Sequence, residues 1–192
     1  MVIVKKGFYM RIISGKARGT KLYTLQGDNT RPTLDRVKES LFNIIQSKIQ
    51  DSIFLDMFSG SGAIGLEAIS RGARKAIMCD KSKEAYQIIE KNVEKTHFKE
   101  KVEIYQEDFK EVLQNKIYEK IDIVFLDPPY KTNFARKAIQ MIMKQDILNK
   151  DGIIIIETDD KDKIITEIKD INCEIYDIRK YGRANLIFLK GV

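Results

Sequence analysis

The sequence predicts an α/β fold, a parallel sheet with helices on both faces. Two observations carry that prediction. Short apolar runs alternate with stretches of helical periodicity from residue 53 onward. One of those runs, IDIVFLD (121–127), is apolar on both faces, as a central parallel strand must be.

Taken in order, MRIISGKARGTKLYTL (10–25) reads as a hairpin turned at glycine. QGDNTRP (26–32) reads as a linker. TRPTLDRVKESLFNIIQSKI (30–49) places Leu34, Val37, Leu41, Ile44 and Ile45 at helical spacing, with Pro32 at the entry and Thr33 as N-cap. IFLDMF (53–58) is a buried strand, AIGLEAISRGA (63–73) a helix closing at Gly72, and KAIMCD (75–80) a second strand. KEAYQIIEKNVEK (83–95) gathers Ala85, Ile88, Ile89, Asn92 and Val93 on one face of a helix. A strand at 101–108, a short helix at 109–115, the strand 121–127 and a helix at 134–148 follow. GIIIIET (152–158) is a buried strand and 161–171 a helix. CEIYDIRKYG (173–182) and ANLIFLK (184–190) pair through a short turn.

The 192 residues suffice for one ordinary domain with its own core. No apolar run approaches the ~20 residues that cross a bilayer, and the N-terminus has too short an apolar stretch for a signal peptide. Cys79 and Cys173 are read as reduced thiols in a cytoplasmic protein. With one histidine, His97, a His-based metal site is not expected. The net charge of +6 is unevenly spread. Residues 1–50 hold ten cations (Lys5, Lys6, Arg11, Lys16, Arg18, Lys21, Arg31, Arg36, Lys38, Lys48) against three acids, a net +7; the other 142 residues carry −1. Such asymmetry suits a polyanionic partner, though a solvated basic surface would look the same.

The sharpest local motif is DMFSGSGAIG (56–65). Gly60, Gly62 and Gly65 form G-x-G-x-x-G between a strand and a helix, and Asp80 ends the next strand. Glycines there allow a tight turn and close approach to a ligand. An acid at that strand end suits a ribose diol. A dinucleotide fits less well, because its pyrophosphate wants bare N–H groups at the helix start, whereas Asp56 ends the preceding strand. A carboxylate there suits a cationic cofactor such as S-adenosylmethionine. Asp108 then accepts from an adenine amine, or caps the helix at Phe109, or does both. Phe58, Ser61, Lys81 and Phe109 neighbour these positions and join the cofactor set.

The second motif is Asp127-Pro128-Pro129-Tyr130, directly after the central strand. The prolines end the strand and fix an extended turn that shows carbonyl oxygens without N–H donors. An Asp oxygen and the Pro128 carbonyl can both accept from an –NH2 group, and Tyr130 offers a ring for a planar base. Asp127 is placed to take a released proton. These four are the candidate catalytic residues.

The two motifs together are similar to those of the Rossmann-like, class I amino-methyltransferases. With MRIISGKARGTKL (10–22), TRPTLDRVKESLFNII (30–45) and KYGRANLIFLK (180–190), the chain from Met10 to Lys190 resembles the RsmD family, the bacterial 16S rRNA (guanine(966)-N(2))-methyltransferases. That resemblance implies a seven-stranded sheet with an antiparallel last strand, S-adenosylmethionine as cofactor, and a guanine N2 in 16S rRNA as substrate, within the small subunit or an assembly particle. It implies cofactor roles for Asp56, Gly60, Gly62, Asp80 and Asp108, and a catalytic role for Asp127 to Tyr130. DPPY is shared with adenine, cytosine and glutamine amino-methyltransferases; the TRPT-x-DRVKE-x-LFN block is more specific. Residues 1–32 are then a basic extension with a hairpin and 33–192 the methyltransferase domain. A monomer without metal or membrane contact is expected. Methylation of adenine or cytosine in DNA, and a non-catalytic RNA-binding assembly factor, are the rival readings.

Lys16, Arg18 and Lys21 on the hairpin, Arg31 and Arg36 at the first helix, and Arg183 in the last turn are the candidate RNA contacts. His97 is expected at the surface after a helix and Cys79 inside a strand. Ser59 and Ser61 have no histidine base nearby in sequence, which gives acyl transfer no support.

Overall fold

The computed structural model describes residues 10–25, 32–129 and 132–191. Arg31, Tyr130 and most of the expected linker lie outside them. Two short strands, β1 (Met10–Arg11) and β2 (Lys21–Leu22), pair antiparallel and precede α1 (Pro32–Ile44) and α2 (Gln46–Ile49). The α/β body follows as β3 (Ile53–Asp56), α3 (Ala63–Ser70), β4 (Lys75–Cys79), α4 (Lys83–Thr96), β5 (Val102–Tyr105), α5 (Phe109–Asn115) and β6 (Ile121–Leu126). It ends with α6 (Phe134–Lys144), β7 (Leu148–Thr158), α7 (Lys161–Glu167), β8 (Cys173–Tyr181) and β9 (Ala184–Gly191).

Seven strands form one sheet in the order β5-β4-β3-β6-β7-β9-β8. β9 runs antiparallel to both β7 and β8; the pairs from β5 to β7 are parallel. This is the seven-stranded sheet with an antiparallel last strand that the resemblance implied. The two-residue pleat sorts the strands onto two cores. Ile123 and Phe125 of β6 join a cluster with Leu41 and Phe42 of α1 and Leu66 of α3. Val124 and Leu126 join Val112 of α5 and Ile139 of α6 on the other face. Ala85, Ile88, Ile89, Asn92 and Val93 of α4 are buried as expected, and His97 is exposed in a left-handed C-cap.

Several boundaries differ from the sequence reading. α1 is helical from Pro32, one residue before the expected Thr33 cap, because a first-turn residue has no intrahelical N–H bond for proline to lose. Ile44 is 37% exposed; the helix ends there and Ile45 turns inward instead. α6 stops at Lys144, where Asp146 adopts φ 50°, and β7 begins at Leu148. α3 ends at Ser70 and α7 at Glu167, both earlier than expected.

The hairpin segment is docked on α3. Ile12 and Leu22 are fully buried in the same core as α1 and α3. The Glu67 carboxylate accepts from the backbone N–H groups of Ile13 (2.8 Å) and Ser14 (3.0 Å) and pairs with Lys38 (3.3 Å) and Arg71 (2.6 Å). Lys38 also donates to the Arg11 carbonyl (2.6 Å). Lys38 is therefore an interior ion, only 2% exposed, and does not belong to the basic surface counted from the sequence. At the far end of α3, Gly15 (φ 83°) approaches Ser70 so closely that a Cβ would lie 1.8 Å from its carbonyl oxygen. Among the described residues no helix is long and apolar enough to cross a membrane.

Candidate active site

The C-terminal ends of the parallel strands open into one cavity of about 1030 Å³, where open α/β sheets bind ligands. β3 lies beside β6, with Leu55 opposite Val124 and Asp56 opposite Phe125, and the Met57 N–H donates to the Phe125 carbonyl (3.1 Å). The glycine loop and the Asp127-Pro128-Pro129 turn therefore leave adjacent strands and line the same space.

The loop is held from three sides. Asp56 is buried (1% exposed) and accepts from the Gly65 N–H at 3.2 Å. Its burial, more than the nearby charge of Asp80, pushes its pKa up to about 7. Asp80 accepts from the Gly60 N–H (3.0 Å) with one oxygen and from the Ser82 N–H (2.9 Å) with the other. Gly60 (φ 53°) and Gly62 (φ 76°) occupy the left-handed region, and nothing lies within 4 Å of a Cβ at Gly60, so the backbone faces open space. The third hold is Asn92 of α4, fully buried. Its amide donates to the Ser61 (2.8 Å) and Tyr23 (2.9 Å) carbonyls and its oxygen accepts from the Tyr23 N–H (2.7 Å). Asn92 was placed by sequence on an apolar helix face; it ties the glycine loop to the N-terminal segment.

One wall is aromatic. Phe58, Phe109 and Phe134 have ring centroids 5.3 to 6.3 Å apart, with Phe58 and Phe134 within 5° of parallel. The Lys81 ammonium stands 6.0 Å from the Phe134 ring. Asp108 caps α5 by accepting from the Lys110 N–H (3.0 Å) through one oxygen; the carboxylate's other oxygen can still accept. The cap is formed through one oxygen, which leaves the other for a ligand donor.

At the β6 end Asp127 is exposed, Pro128 is half-buried, and the Pro129 carbonyl accepts from the Thr132 hydroxyl (2.7 Å). The cavity is lined further by Met10, Leu25 and Val37 of the N-terminal segment, by Glu157 to Asp159 at the β7 end, and by Gly182 to Ala184 in the β8–β9 turn. Asn185 donates to the Thr158 carbonyl (3.2 Å), fastening that turn to β7. Phe134 and the 157–159 stretch were not singled out by sequence. For Glu157 the signal was there: an acid near a strand's C-terminal end, as at Asp80 and Asp108.

Among the described residues the cavity is lined by seven carboxylates (Asp56, Asp80, Glu107, Asp108, Asp127, Glu157, Asp159) and two cations, Lys81 and Arg183. That balance suits a cationic ligand and opposes a pyrophosphate. Cys79 is buried, with its thiol pKa raised by burial, as a strand residue should be and a nucleophile should not. Among the described residues no group of three or more His, Cys, Asp or Glu could hold a metal ion.

Of the basic candidates, Arg183 lines the cavity. Arg36 is exposed in the half of α1 that also carries the cavity residue Val37. Lys21 is exposed on β2. Lys16 and Arg18 are exposed at the Ser70 end of α3, where the Lys16 N–H donates to the Ser70 carbonyl. At 1.5 Å per residue that end is roughly 12 Å from the glycine loop.

The family model described as Conserved hypothetical protein 95 matches residues 10–190. The chain belongs to that family. The Ribosomal RNA small subunit methyltransferase D of Haemophilus influenzae is 38% identical over 161 residues, 82% of each chain. The protein of the same name from Escherichia coli K12 is 34% identical over 150 residues, 78% of this chain and 75% of that one. A solved structure named "Putative methyltransferase yhhF from Escherichia coli" is similar with a TM-score of 0.80 at 25% identity, covering 96% of this chain and 98% of the other. The family is thus the methyltransferase D family that the sequence motifs resembled, and its shared region includes both the glycine loop and the Asp127 turn.

Proposed function

We propose that this protein transfers a methyl group from S-adenosylmethionine to the exocyclic N2 of a guanine in 16S rRNA. The observation that carries the reading is the opening of the Asp127-Pro128 turn and the Gly60 loop into one cavity from adjacent strands. The relatives' shared name supports rRNA as the substrate class.

The residues present fit the cofactor. The backbone at Gly60, Ser61 and Gly62 offers a side-chain-free approach, Asp80 keeps acceptor capacity for a ribose diol, and the Phe58–Phe109 wall with Asp108 suits an adenine. Asp80 contributes negative potential toward a cation, Asp56 adds to it as it ionises near pH 7, and Lys81 flanks the aromatic wall. The cofactor supplies an electrophilic methyl on a sulfonium. Asp127 and the Pro128 carbonyl hold the amine's two protons, which turns its lone pair out of ring conjugation and toward the donor. Asp127 then takes the proton released on transfer, and Tyr130 stacks on the extruded base. Positioning does most of the work.

Arg36 and Arg183 are suited to guide the phosphate backbone to the cavity, with Lys21, Lys16 and Arg18 extending the track along the N-terminal segment. The deciding experiment is transfer of labelled methyl to small-subunit rRNA or particles from cells that lack the modification, followed by nucleoside analysis. N2-methylguanosine is expected. N6-methyladenosine, N4-methylcytidine or methylation of naked DNA in preference would overturn the substrate; cofactor and RNA binding without transfer would leave a non-catalytic assembly factor.

A further inference from the structure

Glu157 is a carboxylate that the proposed chemistry leaves without a task. The β6–β7 register pairs Phe125 with Ile155 and Leu126 with Ile156, so its continuation sets Asp127 beside Glu157. Neighbouring strands lie roughly 4.8 Å apart, and in-register side chains share a face. Phe125 and Ile155 both point to the α1 side of the sheet, which puts Asp127 and Glu157 on that side as well. Both line the cavity. Thr158 alternates to the opposite face, and its hydroxyl accepts from the Asp160 N–H (3.1 Å). Glu157 is half-buried, and burial raises its pKa. Among the described residues no donor meets it, and N–H groups from a ligand would restore what burial removed.

The chemistry of the bases makes this position selective. In guanine the exocyclic amine is flanked by a ring N–H, at N1. In adenine and in cytosine the ring nitrogen beside the amine is a bare acceptor. An ionised carboxylate can only accept. Next to an amine held by Asp127, it attracts the guanine edge and repels the other two. Enzymes that extrude a base read it by its Watson–Crick edge.

We infer that Glu157 is the specificity-determining residue of this site, its carboxylate accepting from guanine N1–H beside the amine that Asp127 holds. The inference rests on the guanine-N2 reading above. It adds a reason, within this chain, for guanine over adenine and cytosine.

The test compares small-subunit rRNA carrying guanine or 2-aminopurine at the target nucleotide. 2-Aminopurine keeps the amine but has a bare N1. Wild type should prefer guanine by tenfold or more in kcat/KM. Glu157→Gln should lower guanine transfer about 10- to 100-fold, the usual scale for losing a charged hydrogen bond. It should also shrink or reverse the guanine preference, since the glutamine N–H can donate to a bare N1. Cofactor affinity and melting temperature should stay close to wild type. Glu157→Asp keeps the charge and should keep the preference at reduced rate, which preserves the test should Glu157→Gln fold poorly. An unchanged guanine to 2-aminopurine ratio in Glu157→Gln, or a lost preference in Glu157→Asp, overturns the role of Glu157 while N2-methylguanosine formation by wild type stands. No N2-methylguanosine from wild type sinks both readings.

Discussion

The Lys38 ammonium lies 3.3 Å from the Glu67 carboxylate, with the two side chains 1% and 0% exposed. Desolvation lowers the Lys38 pKa and the carboxylate beside it works in the opposite direction. The pair joins α1 to α3, and through Ile13, Ser14 and the Arg11 carbonyl it secures the N-terminal segment against the helix that follows the glycine loop. Losing Lys38 leaves Glu67 with Arg71 and two N–H donors, but it takes the donor from the Arg11 carbonyl. Lys38→Ala should destabilise the fold by about 1–3 kcal/mol in urea unfolding. Lys38→Met with Glu67→Gln should recover part of that loss. An effect below about 1 kcal/mol for the single variant would show that the pair is dispensable.

Gly15 and Gly19 separate steric need from backbone need. Both have φ near 84°, but a Cβ at Gly15 meets the Ser70 carbonyl at 1.8 Å and one at Gly19 meets nothing within 4 Å. Gly19→Ala should cost about 1–2 kcal/mol, the left-handed penalty alone. Gly15→Ala should cost clearly more and loosen the segment, seen as faster amide exchange at Lys16 and Ala17, whose N–H groups bond to Ser70. Equal costs would refute the close approach.

Asp56 makes stability depend on pH. Its pKa is raised from 3.8 to about 7, so the folded chain binds more protons than the unfolded chain between those values. Stability should therefore fall as pH rises from about 4 to about 7, with a contribution of up to roughly 1.4 kcal/mol per unit, and level off above. Asp56→Asn keeps an acceptor for the Gly65 N–H and stays neutral. Its unfolding profile should lack that decline; profiles of the same shape would remove Asp56 as the cause.

Asp80 and Asp127 should divide binding from transfer. Asp80→Ala removes the acceptor on Gly60 and should weaken cofactor binding tenfold or more by calorimetry. Asp127→Ala, at the exposed turn, should abolish transfer while cofactor affinity stays within a few fold. Wild-type turnover in Asp127→Ala would remove it from the mechanism.

The strands, their parallel pairing and the ligand edge were legible in sequence, because local periodicity and glycine chemistry are properties of neighbours along the chain. The same holds for Asp80 and Asp108, each marked by a strand end. Helix ends were less legible: α6 stops at Lys144 because the chain must turn into β7, a demand made by the sheet. Tyr130 and Arg31 were named from sequence and lie outside the described residues.

Sequence alone thus determined where the two candidate loops lie, since the motifs for a tight turn and for a rigid proline turn are written in consecutive residues. The tertiary structure decided which side chains those loops meet. Lys38 counted as surface charge until Glu67, 29 positions away, enclosed it. Asn92 counted as a core residue until Tyr23 and Ser61 claimed its amide. Glu157 gained meaning only when the sheet paired Leu126 with Ile156 and brought the two strand ends into one cavity. The physical reason is common to the three: whether a polar group is solvated, paired or poised depends on partners that packing brings from far along the chain.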